Sequence, residues 1–259
     1  QFVLLLRKSE LMNYMEELQE AYEKNLLIPV IGSGLSVPFG LPTWGDLIIN
    51  IADEYSIRDC IKCQIMSQLS NKKYLDAIDL IKNEDVSEQE ICIRVAECLK
   101  NAKKMINASD IDNNYIDLLK FHRSRFITTN YDEYLDEITE CAEMPLKVFA
   151  EMNVNEFARD KYNGRIIPLH GTISKPESIV FSRASYIDNY DDIGFEQAFQ
   201  LLRSQYTFLF LGFSFDDIYF KKMFDKIIHR FNSHHFILLD RKQARNNYRI
   251  KRLEDKYNV

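Results

Sequence analysis

Leu26-Leu27-Ile28-Pro29-Val30-Ile31-Gly32-Ser33-Gly34-Leu35-Ser36 is an apolar run that stops on a glycine turn. Six consecutive apolar residues closed by glycine have the length and composition of a buried β-strand rather than a helix. Before it, Ser9 to Lys24 carries Leu11, Met15, Leu18 and Tyr22 at helical spacing. Pro29 has no N–H to give to a ladder, so the reading predicts a strand that bends or loses a bond there. Further β-rich runs follow at Arg125–Thr128, Leu146–Ala150, Arg165–Leu169, Ser178–Phe181, Thr207–Leu211 and His235–Leu239, with helical patterns in most of the gaps. Strands alternating with helices are the signature of a parallel sheet covered on both faces, so the fold class is α/β and Rossmann-like.

Between Thr43 and about Arg123 the strand signals vanish. Thr43 with Asp46, and Ser87 with Glu90, have the spacing of helix capping boxes. The expectation is a helical insertion over about 43–124. Asn189–Gly194 is the nearest approach to a loop cluster, and no repeat or low-complexity linker interrupts the chain. With 259 residues, one core suffices, since single cores stop growing near about 250–300 residues. Residues 1–259 are therefore expected to form one domain. The chain opens on Gln1 and ends on Lys256-Tyr257-Asn258-Val259 without turn signals, which reads as the N-terminal part of a longer protein.

Hydrophobic residues make up 46% and charged residues 28%, ordinary globular usage that excludes disordered, collagenous and coiled-coil classes. No apolar run approaches the roughly 18 residues of a membrane-spanning helix. The net charge of -6 and a pI near 5.5 leave no global positive field for nucleic acid or anionic lipid. The reading is a soluble, cytoplasmic domain without membrane contact or direct nucleic-acid binding. Arg241 to Arg252 is locally basic and reads as a solvated helix face. Five cysteines, an odd number, suit a reducing compartment. Cys60 and Cys63 have zinc-ribbon spacing, but Cys92 and Cys98 sit on a helical pattern, so no metal is expected.

Four constellations fall where a strand run gives way to a helix, the edge that faces the ligand crevice in parallel sheets. In the first, Gly32, Ser33, Gly34 and Ser36 form a turn whose backbone N–H groups could approach a pyrophosphate at a helix N-terminus. The third glycine of a dinucleotide fingerprint is absent, Val37 standing there, and taken alone the pair could be a plain turn. The second is Thr128-Thr129-Asn130-Tyr131-Asp132, whose Asp132 could equally cap the following helix. The third, His170-Gly171, offers a group able to accept a proton near neutrality, or else a packing histidine. The fourth is Gly212-Phe213-Ser214, followed by Asp216, with Ser214 or Asp216 a natural helix cap. His122, His229, His234 and His235 lack such settings and read as surface or packing residues.

Taken jointly, from about Leu26 to Asp240, these motifs resemble the sirtuin family, whose marks are a glycine-alanine-glycine-x-serine turn, a threonine-glutamine-asparagine-x-aspartate segment, a histidine-glycine pair and a late glycine-x-serine turn. The chain departs from protein-deacylating sirtuins in having no cysteine after Cys141, hence no zinc module following His170-Gly171. Thr129 replaces the glutamine, and Ile179–Tyr186 stands where an acyl-lysine peptide would pair. With Pro42, Thr43 and Trp44 soon after the glycine turn, the chain looks like the bacterial antiphage branch, in which sirtuin-like domains fused to sensor domains destroy NAD.

The resemblance implies an NAD hydrolase releasing nicotinamide, with NAD as substrate and no metal. Gly32, Ser33 and Gly34 would cradle the pyrophosphate with Ser36 nearby, and Gly212 and Ser214 would meet the adenosine ribose. Thr129 and Phe213 complete the expected binding set. Asn130 would orient the nicotinamide ribose or the attacking water, His170 would take a proton, and Asp132 would hold its loop and stabilise developing positive charge. A homo-oligomer and a fused or associated sensor domain are implied as partners. A silent NAD or ADP-ribose sensor and a protein deacylase are the competing readings.

Overall fold

The computed structural model describes residues 8–103, 111–121, 125–144, 149, 165–213 and 235–239. Six parallel strands form its sheet: β1 (Leu27–Ile31), β2 (Phe126–Thr128), β3 (Ala142–Glu143), β4 (Arg165–Pro168), β5 (Thr207–Leu211) and β6 (Phe236–Ile237), in the order β3-β4-β2-β1-β5-β6. Around them lie α1 (Lys8–Glu23), α2 (Trp44–Glu54), α3 (Asp59–Ser70), α4 (Tyr74–Lys82), α5 (Glu88–Lys103), α6 (Tyr134–Thr139), α7 (Arg183–Tyr190) and α8 (Ile193–Gln205). The fold is the α/β Rossmann-like one that the alternation predicts.

Successive side chains of a strand point to opposite faces, and both faces here are apolar. Ile28, Val30, Ile127, Ile167, Phe208 and Phe210 pack on one side with Tyr186 and Tyr190 of α7 and Phe195, Phe199 and Leu202 of α8. Ile31, Phe126 and Ile166 pack on the other with Tyr115, Leu118, Tyr134 and Leu135, and Leu27 and Leu209 with Ala21 of α1. Full burial of each such side chain contributes about 1.5–3 kcal/mol, so central strands that are apolar almost throughout are what a doubly covered sheet requires.

Pro29 neither bends β1 nor disturbs its pairing with β5, which runs in register from Leu27↔Thr207 to Ile31↔Leu211. Ile31 O accepts from Thr129 N on the β2 side, whereas Gly32 N donates to Leu211 O on the β5 side. By strict alternation the nitrogen of Pro29 faces β2, one position below Val30↔Ile127, where that pairing begins. The missing donor falls where the ladder has not yet started.

The helical insertion is present as α2 to α5, and both capping boxes form. Thr43 Oγ1 accepts from Asp46 N while the Asp46 carboxylate accepts from Thr43 N, and Ser87 and Glu90 reciprocate in the same way. Its core, including Leu47, Ile51, Ile78, Ile91 and Val95, is continuous with Tyr131, Ile173, Ile179 and Phe181. The insertion thereby braces the segments that follow β2 and β4.

Two further expectations are corrected. Ser178–Phe181 is not a strand: a 3-10 turn ends at Ser178, and Ile179, Val180 and Phe181 are buried against the turn after β4, with Val180 N donating to His170 O. A short apolar run carries no mark that separates such a packed link from a strand. The loop expected at Asn189–Gly194 shrinks to the step between α7 and α8, because Asp192 caps α8 by accepting from Phe195 N. The run Leu146–Ala150 lies outside the described residues except for Phe149, which is buried. The basic stretch 241–252 and His122, His229 and His234 also lie outside. His235 is buried and accepts from Phe208 N, a packing histidine. Among the described residues no helix is long and apolar enough to cross a membrane.

Candidate functional site

The chain leaves β1 toward β2 on one side of the sheet and returns to β5 on the other, so the order reverses at β1, where α/β folds open a crevice at the carboxyl ends of their strands. There a cavity of about 260 Å³ is lined by Gly32 and Ser33 after β1, Thr129, Asn130, Tyr131 and Asp132 after β2, His170 after β4, and Gly212 and Phe213 after β5. Ser36, Val37, Trp44, Leu47, Tyr74 and Leu99 are among the other residues that line it. Gly34 is not on this cavity but on a neighbouring, more apolar one of about 480 Å³. Ser33, Val37, Gly212 and Phe213 line both cavities and form the wall between them. Ser214 lies outside the described residues.

The glycine turn departs from its expected form in one respect. No α-helix opens after it; two 3-10 turns, Ser33–Leu35 and Val37–Phe39, carry the chain to α2. A helix N-terminus therefore does not supply the anion-binding field there. The glycines answer instead to one another. Gly34 N donates to Gly212 O at 2.9 Å, and a Cβ on either Gly32 or Gly34 would stand 2.7 Å from that same oxygen. Gly212 has a φ of +71° and a Cβ there would lie 2.6 Å from Leu35 N, so the two turns interlock only as bare backbone.

After β2 the segment is held from both ends. Thr129 N donates to Ile31 O, Thr128 Oγ1 accepts from Asn130 N, and Asp132 Oδ1 accepts from Tyr134 N, although the cap position of α6 is Glu133 and Asp132 stands one residue before it. Asp132 Oδ2 accepts from Ser36 Oγ at 2.5 Å, and Lys103 Nζ donates to the Asp132 carbonyl. Burial pushes the Asp132 carboxyl above the usual range, opposed by the Ser36 and Tyr134 hydrogen bonds and the Lys103 charge and reinforced by Glu133. The Asn130 amide donates through Nδ2 to Gly32 O (3.2 Å), Ser36 Oγ (3.1 Å) and Tyr115 Oη (3.1 Å). Its Oδ1 is buried without a hydrogen-bond partner among the described residues. An unfilled buried acceptor of this kind costs about 1–3 kcal/mol and calls for a ligand donor or water.

His170 is held differently. Its ring lies among those of Tyr131, Tyr186 and Tyr190, with centroids 6.0, 5.3 and 6.1 Å away. Tyr131 Oη and Tyr190 Oη donate to Val180 O and Leu169 O. Gly171 turns the chain at φ +76°, where a Cβ would stand 2.1 Å from Ser178 O. The structure thus brings Asn130, Asp132 and His170 to one cavity.

Sequence reasoning missed Tyr115, which is fully buried and whose hydroxyl sits 2.9 Å from Ser36 Oγ. No local pattern marks it, since its partners lie 79 and 15 positions away. Of the cysteines weighed for zinc, Cys60 and Cys63 are exposed on α3, whereas Cys92 Sγ donates to Ile179 O and burial pushes its thiol up to about 12.

In its sequence the chain is 28% identical over 212 residues to the NAD(+) hydrolase ThsA of Enterococcus faecium, an alignment that covers 78% of this chain and 40% of that relative. The chain thus spans about 40% of the length of the curated relative it matches. A family described as the SIR2-like domain matches residues 124–259, more than half of the chain and the part that carries Thr128–Asp132, His170-Gly171 and Gly212-Phe213-Ser214. The chain belongs to the SIR2-like family.

Proposed function

We propose that this domain is an NAD hydrolase that breaks the bond between nicotinamide and ribose C1′, and that it is the effector part of a bacterial antiphage protein acting by NAD depletion. The observation that carries the reading is the buried acceptor Asn130 Oδ1 on a cavity that His170 also lines. Two cavities sharing one glycine wall suit a ligand with two halves, and the similarity to an NAD(+) hydrolase points to a dinucleotide.

Cleavage passes through a transition state with positive charge spread over the sugar ring, as in glycoside hydrolysis. Asn130 Oδ1 accepts from a ribose hydroxyl or from the attacking water, which fixes its position. Neutral His170 takes the proton released from that hydroxyl or water. Asp132 keeps the Asn130 loop in place and adds negative charge beneath it. Gly32, Ser33, Gly34 and Ser36 lie toward the pyrophosphate, with Thr129 and Phe213 alongside, while Gly212 and Ser214 lie toward the adenosine ribose. Nicotinamide leaves without acid assistance because its ring nitrogen is cationic before the bond breaks. No metal takes part in this scheme. In the whole protein, a sensor region and self-association complete the active state.

The test is nicotinamide release from NAD by the full-length protein, isolated from phage-challenged and from unchallenged cells. Asn130→Ala and His170→Ala are each expected to lower the rate by about 10²–10⁴-fold. Binding of NAD or ADP-ribose without turnover would replace the hydrolase reading by a sensor. Release that needs an added acylated peptide would replace it by a deacylase.

A further inference from the structure

We infer that Tyr115 is the positioning residue that, with Ser36, holds the Asn130 amide firmly in the sense that Gly32 O dictates, its oxygen end toward the cavity. The inference rests on the hydrolase reading for its kinetic consequence and on geometry for the rest. Tyr115 sits on the stretch that joins the helical insertion to β2, just before a 3-10 turn over Ile116–Phe121. The side chain of Asn113 shapes that stretch: its Oδ1 accepts from Tyr115 N at 3.0 Å and its Nδ2 donates to Ile111 O at 2.9 Å. The Tyr115 ring packs on Phe39 and Tyr134, with centroids 5.8 and 6.3 Å away. Its hydroxyl is thereby carried to the base of the cavity, within reach of Ser36 and Asn130 at once.

Hydrogen-bond polarity fixes the sense of this cluster, in which Asn130 Nδ2 shares its two protons among Gly32 O, Ser36 Oγ and Tyr115 Oη. Gly32 O can only accept, so the nitrogen end of the Asn130 amide faces it. Ser36 Oγ donates its single proton to Asp132 Oδ2. Ser36 then has only a lone pair for Tyr115, and Tyr115 must donate to it. The remaining lone pair of the Tyr115 hydroxyl accepts from Asn130 Nδ2. The order is one-directional: Asn130 to Tyr115 to Ser36 to Asp132. Its product is an Oδ1 turned out of the cluster as the acceptor left for the substrate or water.

Without the Tyr115 hydroxyl, Nδ2 keeps Gly32 O and Ser36 Oγ, but Ser36 loses the donor that orders it. The amide then keeps its sense from Gly32 O but is held less firmly, so its N–H groups open to exchange more often. Tyr134 supplies the control: it packs in the same aromatic cluster, yet its hydroxyl has no hydrogen-bond partner among the described residues.

Tyr115→Phe and Tyr134→Phe in the full-length protein are to be compared with the parent in nicotinamide release and in the nuclear magnetic resonance of ¹⁵N-asparagine-labelled protein. For Tyr115→Phe the expectation is a fall in kcat of about tenfold or more with KM for NAD within about twofold, the pattern of a lost transition-state interaction. For Tyr134→Phe both constants are expected to stay within about twofold of the parent. The side-chain amide protons of Asn130 are expected to exchange slowly in the parent and in Tyr134→Phe, and fast in Tyr115→Phe. Equal kinetics for the two variants, or slow Asn130 exchange in Tyr115→Phe, would overturn the assignment. If Tyr115→Phe does not fold, Ser36→Ala cuts the same chain one link further on, with the same fall in kcat and fast exchange expected. A parent protein that releases no nicotinamide would sink the hydrolase reading, whereas the amide exchange still decides the role of Tyr115.

Discussion

The two banks of the cavity are built on opposite plans. On the β2 side Asn130 is held by a closed set of hydrogen bonds to Gly32, Ser36 and Tyr115, backed by Asp132. On the β4 side His170 is enclosed by the rings of Tyr131, Tyr186 and Tyr190 and by the turn at Gly171. An amide has two chemically different ends of nearly the same shape, so packing alone cannot orient it and directional donors and acceptors must. A ring that has to take and release a proton is here packed on its faces by other rings. Loss of a polar atom should therefore damage the first bank, and loss of volume or of a special backbone angle the second.

The largest effect is expected at Gly171→Ala. A left-handed φ combined with a Cβ 2.1 Å from Ser178 O should cost on the order of 4 kcal/mol, read as a fall in the denaturation midpoint. A variant that melts with the parent would show that this bank is looser than described. Next comes Tyr186→Leu, which removes a fully buried ring from beside His170 and Trp44. It should cost about 2–3 kcal/mol in chemical denaturation, because the remaining space cannot be refilled.

A subtler difference concerns Asp132→Asn. Burial raises the Asp132 carboxyl in the folded chain, so between its unfolded value of about 3.9 and its higher folded value the native state binds more protons than the unfolded one. Its contribution to stability is then full below about pH 4 and is lost as pH rises through the folded value. Midpoints measured from pH 4 to pH 8 should fall less steeply in the asparagine variant; parallel curves would mean that the carboxyl is not desolvated. The smallest expected effect is at Asp192→Ala, a cap of α8 that lines neither cavity. About 1 kcal/mol of stability should be lost with turnover unchanged, and a loss of activity there would break the division of the site into two local plans.

Much of this was legible in the residue order because parallel sheets punctuate themselves: an apolar run, then glycine or a small polar cluster, then a helix. That grammar located the ends of β1, β2, β4 and β5, and with them Gly32, Asn130, His170 and Gly212. It failed where an apolar run is buried for another reason, as at Ile179–Phe181, and where a strand is only two residues long, as at Ala142–Glu143. It could not see Tyr115, whose ring reads as ordinary core and whose hydroxyl finds Ser36 only after the insertion has folded back. The glycines, expected to leave room for a phosphate, also leave room for each other.

That interlock has a mechanical corollary. With Gly34 bonded to Gly212 and no space for a methyl group at either, the partition between the two cavities behaves as a single stiff plate joined to β1 and β5 together. Neither compartment can widen by bending it without deforming the other. Among the described residues, the segment from Gly40 to Trp44 and the insertion helices behind it stand outside that joint and can shift without straining it.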